Sequence, residues 1–559
     1  MQSSNQKLRI LFAAEASFVN SGFGNYTREL LTRLHATNKY HIAEFASYGF
    51  VNDPRDKDIK WRYYANAVKD GDPRHQEYMS RGDNQFGRWR FDKVVLDFKP
   101  HVVIDWRDYW MSSYQGISPL RPYFNWVLMP TVDSAPQQES WIDTYLDADA
   151  IFTYSDWGAK VILEQSNNKI NYIDTTRPGV DLKIFKPYDD IKAIKNRLGL
   201  PEDSYIIGTV MRNQKRKLFP ELMKAFRQLL DEMYAEGSKE ADKLYLYLHT
   251  SYPDAGWDLP ELLKEHRLLN RVYFTYRCHR CGDVAANVYS HPTKICKKCF
   301  EPSSKFTSVT NGVDNPTLSD IYNVFDLYVQ YAICEGAGMP QIEAAACGVP
   351  IATVNYSAMI DVINKLDAYP IKIGAFFKEL ETKAVRAYPD NNDLVKIIKK
   401  HIRLRPNQLK EKKKNVRSLA ERYYDWDHTA KIWENFLDSP HLFHARRSWN
   451  DPPTYLPAPN INAQDLDIKN GFFNIYNMCS NNLKDISKMS TMSILDMCKD
   501  ATHGFTQNGL NIQNAAYQDV ANNISVMVNN HNQAERARTE NIKFNEDFIK
   551  YAEIKESCS

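Results

Sequence analysis

The stretch from Cys334 to Asn355, CEGAGMPQIEAAACGVPIATVN, constrains the fold more than any other part of the chain. It reads as a strand end, a glycine turn, a short helix, a second glycine turn, and a new strand from Ile351 to Asn355. Gly336 and Gly338 let backbone N–H groups come close to a ligand at the N-terminus of the helix, where anions and polar oxygens are favoured. Glu335 and Glu343 form an E-x7-E pair, one at the turn and one about two helical turns further on. So placed, they can grip two different parts of one extended ligand. The same spacing also suits an ordinary strand–turn–helix with solvated carboxylates, so its meaning depends on the rest of the chain.

That remainder alternates strand and helix. Leu8–Ala13 is a compact apolar run, followed by Ser21-Gly22-Phe23-Gly24 and a helix, the opening of a Rossmann-type unit. The turn lacks the full G-x-G-x-x-G, which argues against a dinucleotide site; Gly22 and Gly24 either turn the chain or keep a cleft wall open. Residues 50–90 read as irregular or mixed. His101–Asp105 is a buried-type strand with Trp106-Arg107-Asp108-Tyr109-Trp110 at its carboxyl end. Ligands of open α/β sheets bind at that end, so Asp105 and Arg107 are cleft candidates, against a surface loop with a packed Trp. Phe124–Met129 is a further strand, and Asp133 follows it. In the second half Tyr205–Val210, Leu244–His249, Arg271–Tyr276 and Phe325–Tyr331 are strands, separated by helical stretches around 221–234, 259–269 and 318–324. After Tyr205–Val210 come four cations in six residues, Arg212, Lys215, Arg216 and Lys217. Such a run is either a solvated turn or a diphosphate cradle. After Asn355 the chain reads as mainly helical.

Cys278, Cys281, Cys296 and Cys299 are spaced C-x2-C-x14-C-x2-C, two knuckles that can close a tetrahedral zinc site. Four thiolates saturate the ion, so this zinc is expected to be structural; His279 and His291 are alternative ligands. The insert, 277–305, is basic, which fits either a solubilised loop or a clamp for an anionic acceptor or partner.

With EGAGMP before it and EAAACGVP after it, the E-x7-E segment closely resembles the donor-binding segment of retaining family 4 glycosyltransferases. The resemblance spans about residues 8–438 less the insert. It implies an α/β fold of two Rossmann-like domains facing a cleft (GT-B). To this the chain's own patterns add a small zinc-binding insert and a mainly helical C-terminal extension. The expected boundaries are 1–180 for an N-terminal acceptor domain, 181–438 for a nucleotide-sugar domain, and 439–559 for a proline-rich linker and helices. It implies that Glu335 lies beside the donor sugar and that Glu343 holds ribose hydroxyls, with Gly336, Ala337, Gly338 and Met339 lining the donor. The family places an Arg and a Lys five residues apart after the strand, which Arg212 and Lys217 match, and this turns the cationic run toward the diphosphate reading. SGFGNYTREL resembles the family's first cleft loop, which makes Gly22, Gly24, Asp105, Arg107 and Asp133 the acceptor-side candidates. Two departures stand out: Pro178 replaces the usual His of the inter-domain crossing, and no His follows Asp105. The Asp147-Ala148-Asp149 triplet is a strand entry rather than a metal-binding DxD.

The implied activity is retaining transfer of a sugar from a nucleotide-sugar to an acceptor hydroxyl, without a catalytic metal and without a protein nucleophile. Glu335, Arg212 and Lys217 would carry the chemistry. The acceptor class, whether glycan, small molecule or nucleic acid, is open. Two alternatives stay open as well. A GT-B epimerase or hydrolase would yield free sugar or epimer without acceptor, and a zinc-dependent nucleic-acid-binding protein would not need the Arg212, Lys217, Glu335 and Glu343 set. Net charge of +2 does not advertise nucleic-acid binding. No apolar run approaches a membrane span, the first residues are polar, and the nine cysteines include two CxxC pairs, so a cytoplasmic, soluble protein is expected. Ile512, Ala516, Val520, Ile524 and Met527 recur at helical spacing, an apolar face suited to core packing or to oligomer contacts.

Overall fold

The computed structural model describes residues 7–308, 311–380 and 382–450. The proline-rich run, the helical extension and its apolar face lie outside the described residues.

The first sheet is built from β1 (Arg9–Glu15), β2 (His41–Phe50), β3 (Arg62–Ala67), β4 (Val102–Asp105), β5 (Asn125–Leu128), β6 (Ala150–Thr153) and β7 (Tyr172–Thr175). Its order is β3-β2-β1-β4-β5-β6-β7, with every pair parallel. β4 and β6 are buried along their whole length, as expected of strands covered on both faces. Residues 50–90, expected to be irregular or mixed, are mixed and contribute β3 to the sheet edge. Side chains such as Ser21 and Ser155 cap the following helices by accepting N–H groups of Gly24 and Gly158 at 2.9 and 3.0 Å.

The second sheet comprises β8 (Tyr205–Val210), β9 (Leu244–His249), β10 (Val272–Cys278), β11 (Val284–Val288), β12 (Thr293–Lys294), β13 (Ser304–Phe306), β14 (Leu327–Gln330), β15 (Ile351–Val354) and β16 (Tyr369–Ile371). Its parallel part runs β10-β9-β8-β14-β15-β16, and β11, β12 and β13 form an antiparallel annex on β10. The described residues after Asn355 are mainly helical, as expected, with β16 and a separate hairpin, β17 (Ile373–Lys378) with β18 (Val385–Pro389), among the helices.

The helix Trp426–Leu437, which the sequence placed in the second domain, returns to the first. Trp433 is fully buried against Phe152 and Trp106, at ring-centroid distances of 4.2 and 6.2 Å. Its indole N–H donates to Tyr26 Oη at 2.9 Å. The chain crosses between domains twice, side by side: the Val180 N–H donates to the Tyr424 carbonyl at 2.9 Å. At this crossing a Cβ on Gly179 would lie 2.5 Å from Trp426 N, so the crossing needs a glycine there. Among the described residues, no helix is long and apolar enough to cross a membrane.

Candidate active site

An open parallel sheet binds ligands where its strand order reverses, outside the carboxyl ends of the strands. In the second sheet the reversal falls between β8 and β14. The loops leaving those two strands carry the cationic run and the first glutamate of the E-x7-E segment. Their backbones are joined: Lys217 bridges Ala332, Leu218 N–H donates to the Tyr331 carbonyl at 3.0 Å, and Ile333 N–H donates to the Arg216 carbonyl at 3.1 Å.

This pairing brings Lys217 Nζ onto Glu335 Oε1, with Arg216 Nη1 on Oε2 at 3.0 Å. Gln330 Nε2 also donates to Glu335, and Tyr328 Oη–H in turn donates to Gln330 Oε1 at 2.6 Å. Burial by itself would raise the Glu335 pKa, but Lys217 and Arg216 outweigh it and hold the carboxyl at about 2. Burial, reinforced by Arg216, draws Lys217 down to about 8. Glu335 is thus an anion held between two cations at neutral pH.

Arg212 goes elsewhere. Its guanidinium forms a fork on Asp254, at 2.8 and 3.0 Å, and stays half exposed. Of the pair that the family resemblance singles out, Lys217 meets Glu335 and Arg212 does not. Arg216, one of the four cations of the run, takes the second place on Glu335. Both are long side chains in one loop, and the residue spacing does not show which of them turns inward.

The helix Met339–Ala346 begins at Gly338, whose φ of 74° is left-handed. Gly336 is required for a different reason from ligand access: a Cβ there would overlap Thr131 Cγ2 of the first domain. Ala337 and Met339 pack against the first domain's core, and a Cβ on Gly22 would sit 3.9 Å from Met339 Sδ. Glu343 is partly exposed and accepts the Tyr322 hydroxyl at 2.6 Å; burial pushes its pKa up to about 7.

On the opposite wall the first sheet reverses between β1 and β4. Glu15 closes β1 and accepts the Ser21 hydroxyl. Asp105 and Arg107 do not line the cleft. They form a fully buried ion pair, with Arg107 also donating to the Phe86 carbonyl at 3.0 Å and Asp105 accepting from Gln115 at 2.7 Å. A residue still in the strand points into the core, and Asp108, three residues later, is the partly exposed group. Burial, reinforced by Asp133, raises its pKa to about 6, and the Arg216 charge acts on it from across the cleft. Asp133 sits on the domain seam: Arg386 of β18 donates to it at 2.9 Å and Cys334 Sγ lies 3.3 Å away. Gly24 has a packing role, since a Cβ there would overlap the Val19 carbonyl.

The four CxxC sulfurs all lie within 4.8 Å of one another, with Cys278–Cys299 and Cys281–Cys296 each at 3.6 Å. Tetrahedral zinc thiolates, with Zn–S near 2.3 Å, require sulfur separations of roughly 3.8 Å. The donor set therefore fits one zinc ion. His279 and His291 turn away, each with Nδ1 on a backbone carbonyl, those of Ser303 (2.7 Å) and Thr293 (2.9 Å).

No family model matches the chain. It is similar to D-inositol 3-phosphate glycosyltransferase 2 of Catenulispora acidiphila, 25% identical over 216 residues, which are 39% of this chain and 42% of that protein. It is also similar to D-inositol 3-phosphate glycosyltransferase of Stackebrandtia nassauensis, 32% identical over 209 residues, 37% of this chain and 38% of that protein. The chain thus spans about two fifths of the length of these curated relatives. Among solved structures it resembles sucrose-phosphate synthase of Thermosynechococcus elongatus, with a TM-score of 0.55 and 17% identity over 77% of this chain and 98% of the other. It also resembles Anabaena HepE in complex with UDP-glucose, with a TM-score of 0.52 and 12% identity over 77% of this chain and 99% of the other. The fold is therefore the GT-B fold, two α/β domains facing a cleft.

Proposed function

We propose that the protein is a retaining glycosyltransferase whose donor, a nucleotide-sugar, lies in the crevice between β8 and β14. The observation that carries this is the cluster of Lys217, Arg216 and Glu335 at that crevice, on the fold of its neighbours. The relatives' names and the UDP-glucose held by HepE support the same reading. Departure of a nucleoside diphosphate builds negative charge at its bridging oxygen. Lys217, with the half-exposed Arg212 seated on Asp254, neutralises that charge without a divalent cation. Glu335 orients the sugar and faces the positive charge developing at the anomeric carbon. Asp108 and Glu15, at the first sheet's reversal, accept hydrogen bonds from acceptor hydroxyls. Attack comes on the face the leaving group vacates, its oxygen taking the acceptor proton. NMR of the product formed from an α-linked donor should show an α-linkage. Free sugar as the main product even when acceptors are offered, or an epimer, would point instead to a hydrolase or epimerase.

Glu343 holds ribose hydroxyls, which bond more strongly to a carboxylate than to a protonated acid. With its pKa near 7, affinity for UDP should rise between pH 6 and 8, by up to about tenfold. The folded pKa lies above the unfolded one. Its contribution to stability is thus present below the unfolded value of about 4.3 and lost as pH rises through the folded value, the opposite trend to the affinity. Calorimetric titrations of wild type and Glu343→Gln check this: the wild-type slope should flatten in the variant, and equal slopes would remove Glu343 from the ribose site.

The cysteine cluster holds one structural zinc per chain, with no open position for water or substrate. Elemental analysis of protein purified under reducing, chelator-free conditions should give one zinc per chain, and none would sink the site. Two of the insert's cations are engaged within it: Arg280 pairs with Glu301 at 2.5 Å and Lys294 donates to the Val288 carbonyl at 2.7 Å. Lys297, Lys298 and Lys305 are exposed, which suits a solubilised staple and an acceptor clamp alike.

A further inference from the structure

The metal-binding insert is not a loop hung on the surface. β10 pairs with β9 through residues 272–274 and with β13 through 276–278, so one strand belongs to both the sheet and the insert. Cys278, the last residue of β10, is itself one of the four thiols. The outgoing chain is held to the cluster at Ser303, whose hydroxyl lies 3.0 Å from Cys278 Sγ. Three residues further, Phe306 stacks on Tyr276 at 4.7 Å and meets Tyr252 edge-on at 5.7 Å. Next to it the buried Thr307 donates its hydroxyl to the Thr250 carbonyl at 2.8 Å.

Thr250 and Tyr252 belong to the loop after β9, and that loop grips the cationic loop at both ends. At one end Asp254 holds Arg212, and Ser251 Oγ–H donates to Asp254. Asn213, fully buried, donates to the Trp257 carbonyl at 2.8 Å and accepts the Trp257 N–H at 2.9 Å. At the other end the Trp257 indole N–H donates to the Lys217 carbonyl at 2.8 Å. The two loops approach so closely that a Cβ on Gly256 would overlap Asn213.

We infer that the zinc insert positions the donor-site cations: the bound metal holds β13 and Thr307, these hold the 250–258 loop, and that loop seats Arg212 and Lys217. The inference rests on the proposed donor site for its ligand. The metal takes no part in bond making; its loss acts through geometry. Folding of the insert is coupled to its metal, because residues 278–303 have no core of their own to fix where Ser303 and β13 leave the cluster. Thr307 is a positioning residue, since it touches neither metal nor donor.

Two readouts test this. Hydrogen exchange on the full chain needs no ligand: removing zinc should speed exchange in 211–218 and 250–258 as well as in 278–303. Exchange confined to 278–303 would overturn the inference, whatever the protein binds. Calorimetry with UDP, ADP and GDP gives the second. A Cys296→Ser, Cys299→Ser variant should bind the preferred diphosphate about tenfold more weakly than wild type. Thr307→Val, with its zinc content unchanged, should move affinity in the same direction by a smaller factor. Unchanged affinity in the zinc-free protein would overturn the coupling. Absence of binding by the zinc-loaded wild type to all three would refute the donor site instead, leaving exchange to decide the coupling.

Discussion

Lys217→Ala should lower kcat about a thousandfold, roughly 4 kcal/mol of transition-state stabilisation. Its ammonium lies on Glu335 at the reversal point of the second sheet, where the leaving diphosphate is proposed to gather charge. An interaction that grows as the bond breaks appears in kcat, whereas one made equally in the ground state appears only in KM. The same substitution leaves a nearly buried carboxylate with Arg216 as its remaining ionic partner, so stability should also fall, by about 3 kcal/mol. Steady-state kinetics and denaturant unfolding of the one variant separate the two effects. A normal kcat with only a raised KM would show that Lys217 merely holds the donor.

Trp433→Ala should lower stability by about 4 kcal/mol, the cost of emptying a fully buried indole site. The residue lies on the returning helix and fills the first domain's core beside Phe152 and Trp106. It also leaves Tyr26 Oη without the indole donor. Chemical denaturation checks the size of the loss, and a change under 1 kcal/mol would mean that the helix is not integral to the first domain.

The core strands were legible because parallel strands buried on both faces leave long apolar runs, as in LRILFAA. The crevice was legible because glycines and charges crowd the ends of such runs. The return of Trp426–Leu437 was not, since an amphipathic helix shows an apolar face but not which core receives it. The hairpin β17–β18 was hidden too: its strand Ile373–Lys378 is largely exposed, so it lacks the apolar signature of the core strands. Within the proposed site, Glu335 and Lys217 are the residues the family resemblance points to, and the structure brings them together, whereas Asp105 and Arg107 lie in the core and Asp108 is partly exposed. Chemistry-bearing residue types at a strand end do not reveal which one clears the core. The C-x2-C pairs were the clearest signal, because a metal demands ligands in a pattern that few other needs produce. Their link to the proposed donor site through Thr307 and Trp257 rests on contacts between distant segments that no local pattern encodes.

The central claim is that the crevice between β8 and β14 holds a nucleotide-sugar and breaks its bond to the diphosphate. It is tested most directly by incubating the zinc-loaded protein with UDP-, ADP- and GDP-sugars, without added divalent cation, and measuring both thermal stabilisation and released nucleoside diphosphate. A ligand at a hundred times its Kd adds roughly 2.7 kcal/mol of stability. At least one donor should stabilise the wild type and release its diphosphate, with release all but abolished in Lys217→Ala. No stabilisation by any donor, or release that survives unchanged in Lys217→Ala, would contradict the claim.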